Sequence, residues 1–143
     1  MNLTVDANVW LAARDPHEPG YLESTRFLEL ALATKPNLMS PVLLPLEIAS
    51  AAARKTRDED RGLEAAREVE SIPFHVWHAF DNGVATAARL LATRYFLRAA
   101  DAVYAAVAIT TASTLISLDQ DLLTRAGAVI PALTPQGWLD SQQ

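Results

Sequence analysis

Cysteine is absent from the chain, and with it go disulfide bonds, thiolate zinc sites and any cysteine nucleophile. Glycine is scarce. The five residues, Gly20, Gly62, Gly83, Gly127 and Gly137, are too dispersed to build a phosphate-cradling loop or a dinucleotide fingerprint, which sets aside ATP and nicotinamide cofactors. The three histidines, His17, His75 and His78, lack metal-ligand spacing, and on a strand His75 and His78 would face opposite sides. No uncharged apolar run approaches the ~20 residues needed to span a bilayer. The opening Met1-Asn2-Leu3-Thr4-Val5-Asp6 also lacks a basic segment leading into an apolar stretch, so an unexported, cytoplasmic protein is expected.

Basic residues are outnumbered, 12 against 17 acids, for a net charge of -5. Broad electrostatic adhesion to nucleic acid is disfavoured by that balance, because it relies on many Lys and Arg neutralising phosphates. The objection weakens if four of the acids bind cations. The rest of the chain is then close to neutral, and a cation-loaded cluster itself attracts phosphate.

What is present fits one globular domain over residues 1–143, with half the residues apolar and a fifth charged. Leu3-Thr4-Val5 reads as a buried strand, and Asn8 to Ala13 as one or two helical turns. An amphipathic helix runs from Tyr21 towards Lys35-Pro36, followed by a strand at Leu38-Met39-Ser40. A helix carrying Glu47 begins at Ser40-Pro41 or at Pro45, since either proline suits a first turn. Asp58 to Ser71 is a charged helix, Phe74 to Trp77 a strand, Val84 to Leu91 the centre of a helix and Ala99 to Thr111 another. Leu115-Ile116-Ser117 is a strand, Asp121 to Ala126 a short helix and Val129-Ile130 an edge strand. Alternating strands and helices, with short strands lacking in-out periodicity, predict an α/β fold: a parallel sheet covered by helices on both faces. Such sheets bind ligands where their strands end, near a topological switch point. Asp6 and Asp119 both follow strands there.

Four acids carry the chemical signal. Asp6 stands where a buried strand hands over to a helix, a place equally suited to an N-cap, and Asn8 is spaced to orient it. Glu47 is the only charge in its stretch and shares a helical face with Leu43, Ala51 and Arg54, so it needs a partner, either Arg54 or a cation. Asp101 is the lone charge in the apolar helix Ala99 to Ile109, where burying an unpaired carboxylate is expensive. Asp119 ends the strand near Ser117, and Asp121 is placed alike as an early helix acid. With no cysteine and no histidine pair, Asp6, Glu47, Asp101 and Asp119 describe an all-oxygen site suited to Mg²⁺ or Mn²⁺. Metal ions there would activate water for phosphodiester hydrolysis without a covalent intermediate.

These segments resemble the PIN-domain family, in particular the VapC-like ribonuclease toxins of VapBC toxin-antitoxin pairs. Val5-Asp6-Ala7-Asn8-Val9-Trp10 is similar to the family's opening strand and acid, and Leu46-Glu47-Ile48 to its helical Leu-x-Glu element. Ala100-Asp101-Ala102-Val103-Tyr104-Ala105-Ala106-Val107-Ala108 resembles the central Asp helix, and Leu115-Ile116-Ser117-Leu118-Asp119-Gln120-Asp121-Leu122 the closing Thr-x-Asp-x-x-Leu element. Ser117 replaces the usual Thr and keeps the hydroxyl, while Pro45 stands where a helix former is usual. The resemblance implies a Rossmann-like PIN domain acting as an Mg²⁺- or Mn²⁺-dependent endoribonuclease. It also implies an RNA substrate, a homodimer, and inhibition by a cognate VapB-like antitoxin. Asp6, Glu47, Asp101 and Asp119 would then be catalytic and metal-binding, with Asn8, Ser117 and Asp121 supporting. Arg98 and Arg54 are the RNA-binding candidates. Other readings are a PIN-like module without catalysis and a receiver-like phosphotransfer domain. The receiver would need an acceptor Asp after the central strand, which Trp77-His78-Ala79 does not supply.

Overall fold

The structure is a computed structural model describing every residue from Met1 to Gln143. Its elements run β1 (Asn2–Val5), α1 (Ala7–Ala12), α2 (Tyr21–Ala33), β2 (Asn37–Pro41), α3 (Leu43–Thr56) and α4 (Glu59–Glu70). They continue through β3 (His75–His78), α5 (Asn82–Tyr95), α6 (Ala99–Thr110), β4 (Thr114–Ile116), α7 (Gln120–Ala126), β5 (Ala132–Leu133) and α8 (Pro135–Ser141). No helix is long and apolar enough to cross a membrane.

The five strands form one parallel sheet in the order β3-β2-β1-β4-β5. The chain first steps outward from β1 to β2 and β3, then crosses back to β4 on the other side of β1. Right-handed crossovers put α1–α4 on one face and α5–α7 on the other. The strand order therefore switches sides between β1 and β4, where Val5 pairs with Ile116 and the Asp6 N–H donates to the Ile116 carbonyl at 2.9 Å. The expected α/β architecture is the observed one.

Several boundaries are set by tertiary contacts. Ser40 and Pro41 finish β2, and α3 starts at Leu43 with Val42 at its N-cap. Pro45 is thus the third residue of α3, where the missing N–H would have had no intrahelical acceptor. Glu47 stays helical without a kink being required. The edge strand lies at Ala132–Leu133 and not at Val129-Ile130. The Val129 and Ile130 N–H groups bond back to the Ala126 carbonyl, while the Pro131 and Leu133 carbonyls accept from Leu115 and Ser117. Helix α8 follows it, capped by Thr134, whose hydroxyl accepts from the Gly137 N–H at 2.9 Å, with Pro135 in the first turn.

Helix α6 lies across β2, β1 and β4. Ala102, Ala105, Ala106 and Ala108 are all at most 1% exposed, and their small side chains let the helix approach the sheet closely. Larger buried groups, Leu3, Phe27, Leu38, Ile48, Tyr104 and Leu115, complete the core on the two faces of the sheet. On the other face α3 and α4 pack so closely at Gly62 that a Cβ there would lie 2.7 Å from the Ala49 carbonyl oxygen and 2.7 Å from the Ala53 Cβ. Both are atoms of α3, the helix that carries Glu47. Gly62→Ala is expected to force α3 and α4 apart and destabilise the chain by about 1–3 kcal/mol in urea unfolding. An unchanged midpoint would show that the two helices are not in contact as described.

Candidate functional site

Asp6 sits at the carboxyl end of β1, only 8% exposed, at the N-cap position of α1. Its side chain makes no cap hydrogen bond. It accepts instead from the Ser117 hydroxyl at 2.8 Å. That hydroxyl is itself fully used: it accepts from Asn8 Nδ2 at 3.1 Å and from the Asp119 N–H at 3.0 Å. Asn8 Oδ1 in turn accepts from the Leu118 N–H at 3.1 Å. The two strand ends are stitched together through Ser117, and Asp6 is aimed by that stitch. Asn8 therefore acts on Ser117 and reaches Asp6 only through it.

Glu47 projects from α3, which leaves the same end of the sheet after β2. Its Oε1 is buried with no hydrogen-bond partner. Arg54 does not supply one; it is exposed in the last turn of α3 and makes no ion pair with Glu47. The group nearest in character is the Tyr104 hydroxyl, also buried and also without a hydrogen bond of ordinary geometry. The pair is close enough for Tyr104 to favour the Glu47 carboxylate, while burial, with Glu47 and Asp6 adding to it, holds the phenol far above its usual range, so Tyr104 stays protonated. Tyr104 is 1% exposed and one helical turn beyond Asp101. Its residue type gave a usable signal, because a phenol inside an alanine-rich buried helix needs a partner for its hydroxyl.

Asp101 occupies the first turn of α6 and is half-buried. Asp119 caps α7, with Oδ1 accepting from the Asp121 and Leu122 N–H groups at 3.0 and 3.3 Å. Capping leaves its other oxygen uncommitted. Asp121 is exposed and pairs with Arg125 at 3.0 Å, one turn along the same helix.

The charges couple. Burial raises the Asp6 pKa from 3.8 to about 7, with Ser117 opposing and Glu47 and Asp101 adding to the rise. Burial likewise raises Glu47, with Asp101 adding to it. Asp101 is raised by burial and by Asp119, while the Arg98 guanidinium pulls it down. None of Asp6, Glu47, Asp101 and Asp119 has a salt-bridge partner. Crowded carboxylates with a buried orphan oxygen and no basic neighbour in contact are all-oxygen donors of the type a hard divalent cation takes. As they stand, no three of them enclose a common point as a finished coordination shell would.

A groove of about 1050 Å³ is lined by Asn8 and Leu118, whose own hydrogen bond adjoins Ser117, and by Arg14, Lys55 and Arg61, and none of the four acids lines it. Its charges are partly paired, Lys55 with Asp15 and Glu18, and Arg14 with Glu68.

Comparison with known proteins agrees with this fold. A chain in the crystal structure of FitAcB from Neisseria gonorrhoeae matches with a TM-score of 0.71 at 19% identity, covering 95% of this chain and 99% of that one. PAE2754 from Pyrobaculum aerophilum matches with a TM-score of 0.71 at 19% identity, over 100% and 91%. A chain of VapBC2 from Rickettsia felis, crystallised with a DNA fragment from their promoter, matches at 0.69 and 16%, over 94% and 98%. No curated protein sequence matches. The PIN domain family model matches residues 3–128, a span that begins in β1, runs past α7 and includes all four acids. With the switch-point carboxylates inside that span, the chain belongs to the PIN domain family.

Proposed function

We propose that this chain is a metal-dependent endoribonuclease that hydrolyses RNA phosphodiester bonds and serves as the toxin of a type II toxin-antitoxin pair. The observation that carries the reading is the set of mutually destabilised carboxylates, Asp6, Glu47 and Asp101, with Glu47 Oε1 buried and unpartnered. Asp6, Glu47, Asp101 and Asp119 are the residues that would hold Mg²⁺ or Mn²⁺. Bound there, the cation supplies Lewis-acid activation of water and neutralises charge gathering at the attacked phosphate.

The chain's own groups do the rest. Ser117 fixes the carboxylate plane of Asp6, and Asn8 fixes Ser117. Tyr104 turns its hydroxyl towards Glu47 and stays protonated, so it can donate but not compete as an anion. The Asp119 cap bonds anchor one oxygen and keep the other available. Around them the apolar side chains of α6 keep the local dielectric low, which strengthens every charge interaction at the site. RNA as substrate and the toxin role rest on the likeness to the VapC-type chains. An antitoxin segment has an entrance in the groove bordered by Asn8 and Leu118. A homodimer finds support in the open sheet edge at β3, where Val76, Trp77 and nearby Phe80 are exposed.

Cleavage of a labelled single-stranded RNA should need Mg²⁺ or Mn²⁺ and stop with chelator. Asp6→Asn and Asp101→Asn should each lower it by more than about 100-fold, beyond the 10–100-fold loss that follows when only a supporting partner of a ligand is removed. Undiminished cleavage by both variants would end the proposal.

The metal-free chain should also reveal the cluster through its stability. Asp6 has a folded pKa raised to about 7, so the folded state holds its proton more tightly than the unfolded state does. Stability should therefore fall as pH rises from about 4 to about 7, by on the order of 4 kcal/mol for this group alone, and level off above. Asp6→Asn should remove most of that slope in denaturant titrations. At pH 8, millimolar Mn²⁺ should raise the Tm of the unmodified chain and leave that of Asp6→Asn nearly unmoved. A flat pH profile for the unmodified chain, or equal Mn²⁺ shifts in both, would contradict the assignment.

A further inference from the structure

Between Asp81 and Asp101 the sequence contains no acid, yet it carries Arg89, Arg94 and Arg98. In a chain of net charge -5 this is an unusual stretch. All three arginines are exposed, and none forms a salt bridge. They lie on α5 and on the turn leading from α5 into α6, the helix of Asp101. Among them Leu90 is 61% exposed and Phe96 is 78% exposed, the highest value for any large apolar side chain in the molecule.

Phe96 is exposed at a cost to the backbone. It ends α5 in the left-handed region at φ 58°, a conformation that glycine adopts freely and a bulky L residue does not. The left-handed turn closes α5, with the Leu97 N–H donating to the Ala92 carbonyl at 3.1 Å, but the 78% exposed ring gains little burial within the isolated chain. The turn is nevertheless held in place. Arg125 donates to the Tyr95 carbonyl at 3.4 Å and pairs with Asp121 at 3.0 Å, tying the turn to the first part of α7, whose cap is Asp119. Arg98, at the N-cap position of α6, is near enough to Asp101 to favour its ionised form. Phe96 thus lies in a turn whose neighbouring residues reach both α7, through the Tyr95 carbonyl, and Asp101, through Arg98.

We propose that Arg89, Arg94, Phe96 and Arg98 form the binding track for single-stranded RNA beside the cleaved bond, with an unpaired base stacked on Phe96 and phosphates on the arginines. This rests on the ribonuclease reading and deepens it. A duplex offers no free base face for the ring, so the track selects unpaired segments. A second copy of the chain is a poorer occupant. In a two-fold interface the same patch meets itself, which sets arginines against arginines with no acid of the patch to separate them.

The test measures binding of a labelled unpaired 12-nucleotide RNA by fluorescence anisotropy in chelator, with Mn²⁺-dependent cleavage of the same RNA recorded in parallel. Phe96→Gly should raise the Tm, because it relieves the left-handed strain, and still weaken RNA binding about tenfold or more. Phe96→Trp should retain the affinity. Replacing Arg89, Arg94 and Arg98 together with alanine should reduce the slope of log affinity against log salt by about 2, the value for three phosphate contacts on a single strand. If the unmodified chain cleaves RNA but the variants bind as it does, or if it shows no measurable affinity, the track is wrong and the ribonuclease reading stands. If it neither binds nor cleaves RNA, both fall. Dissociation of a dimer by Phe96→Gly without loss of RNA affinity would make the patch an interface between copies and overturn the track.

Discussion

Negative charge gathered where β1 and β4 end is the constraint around which the rest of the molecule is arranged. A carboxylate 8% exposed, with two others near enough to raise its pKa, opposes the fold that creates it. No lysine or arginine is in ion-pair contact to relieve it, and the single direct hydrogen bond from Ser117 offsets only part of the desolvation. The position survives because the two central strands are locked in register by Val5 opposite Ile116, and because Ser117 joins their ends through two hydrogen bonds, to Asp6 and from Asn8. Stability is thus surrendered at one point and recovered in the sheet and in the alanine-lined contact of α6. Strain of this kind, held in place by the surrounding structure, is the pattern expected of a functional site.

The neighbouring acids divide structural and chemical duties in ways that follow from which atoms are already committed. Asp119 commits one oxygen to the first turn of α7, so it is anchored yet half available. Asp121, its neighbour in sequence, is spent on Arg125 at the surface. That ion pair in turn steadies the turn at Tyr95, so an acid outside the cluster helps to hold the approach to α6. Tyr104 completes the enclosure from within α6, its phenol kept protonated by burial and by the carboxylates it faces.

Legibility in the sequence depended on how local the cause was. Asp101 could be picked out because an apolar helix leaves a charge no cheap neighbour, and Asp6 because it ends a buried strand. The alternating elements up to α7 were legible for the same reason, since periodicity acts over a few residues; α8, capped by Thr134, was not read from the sequence. The start of α3 was not, because Pro41 and Pro45 are both compatible with a first turn; the pairing of Pro41 with His78 across β2 and β3 decides it. The last strand was misplaced to Val129-Ile130 since its position is fixed by hydrogen bonds from Leu115 and Ser117, far back in the chain.

By itself the sequence determined the α/β class and where each acid stands, Asp6 and Asp119 after strands and Glu47 and Asp101 on helices, because these follow from residue type and short-range spacing. Only the tertiary structure decided that Glu47 turns away from Arg54 towards Tyr104, that Ser117 aims Asp6, and that Asp121 looks outward while Asp119 remains within reach of Asp101. Each of those outcomes depends on strand order and register, which bring residues more than a hundred positions apart to within hydrogen-bond distance. Linear spacing carries no information about such distances. The acids were visible one at a time, and their repulsion as a group exists only in the folded chain.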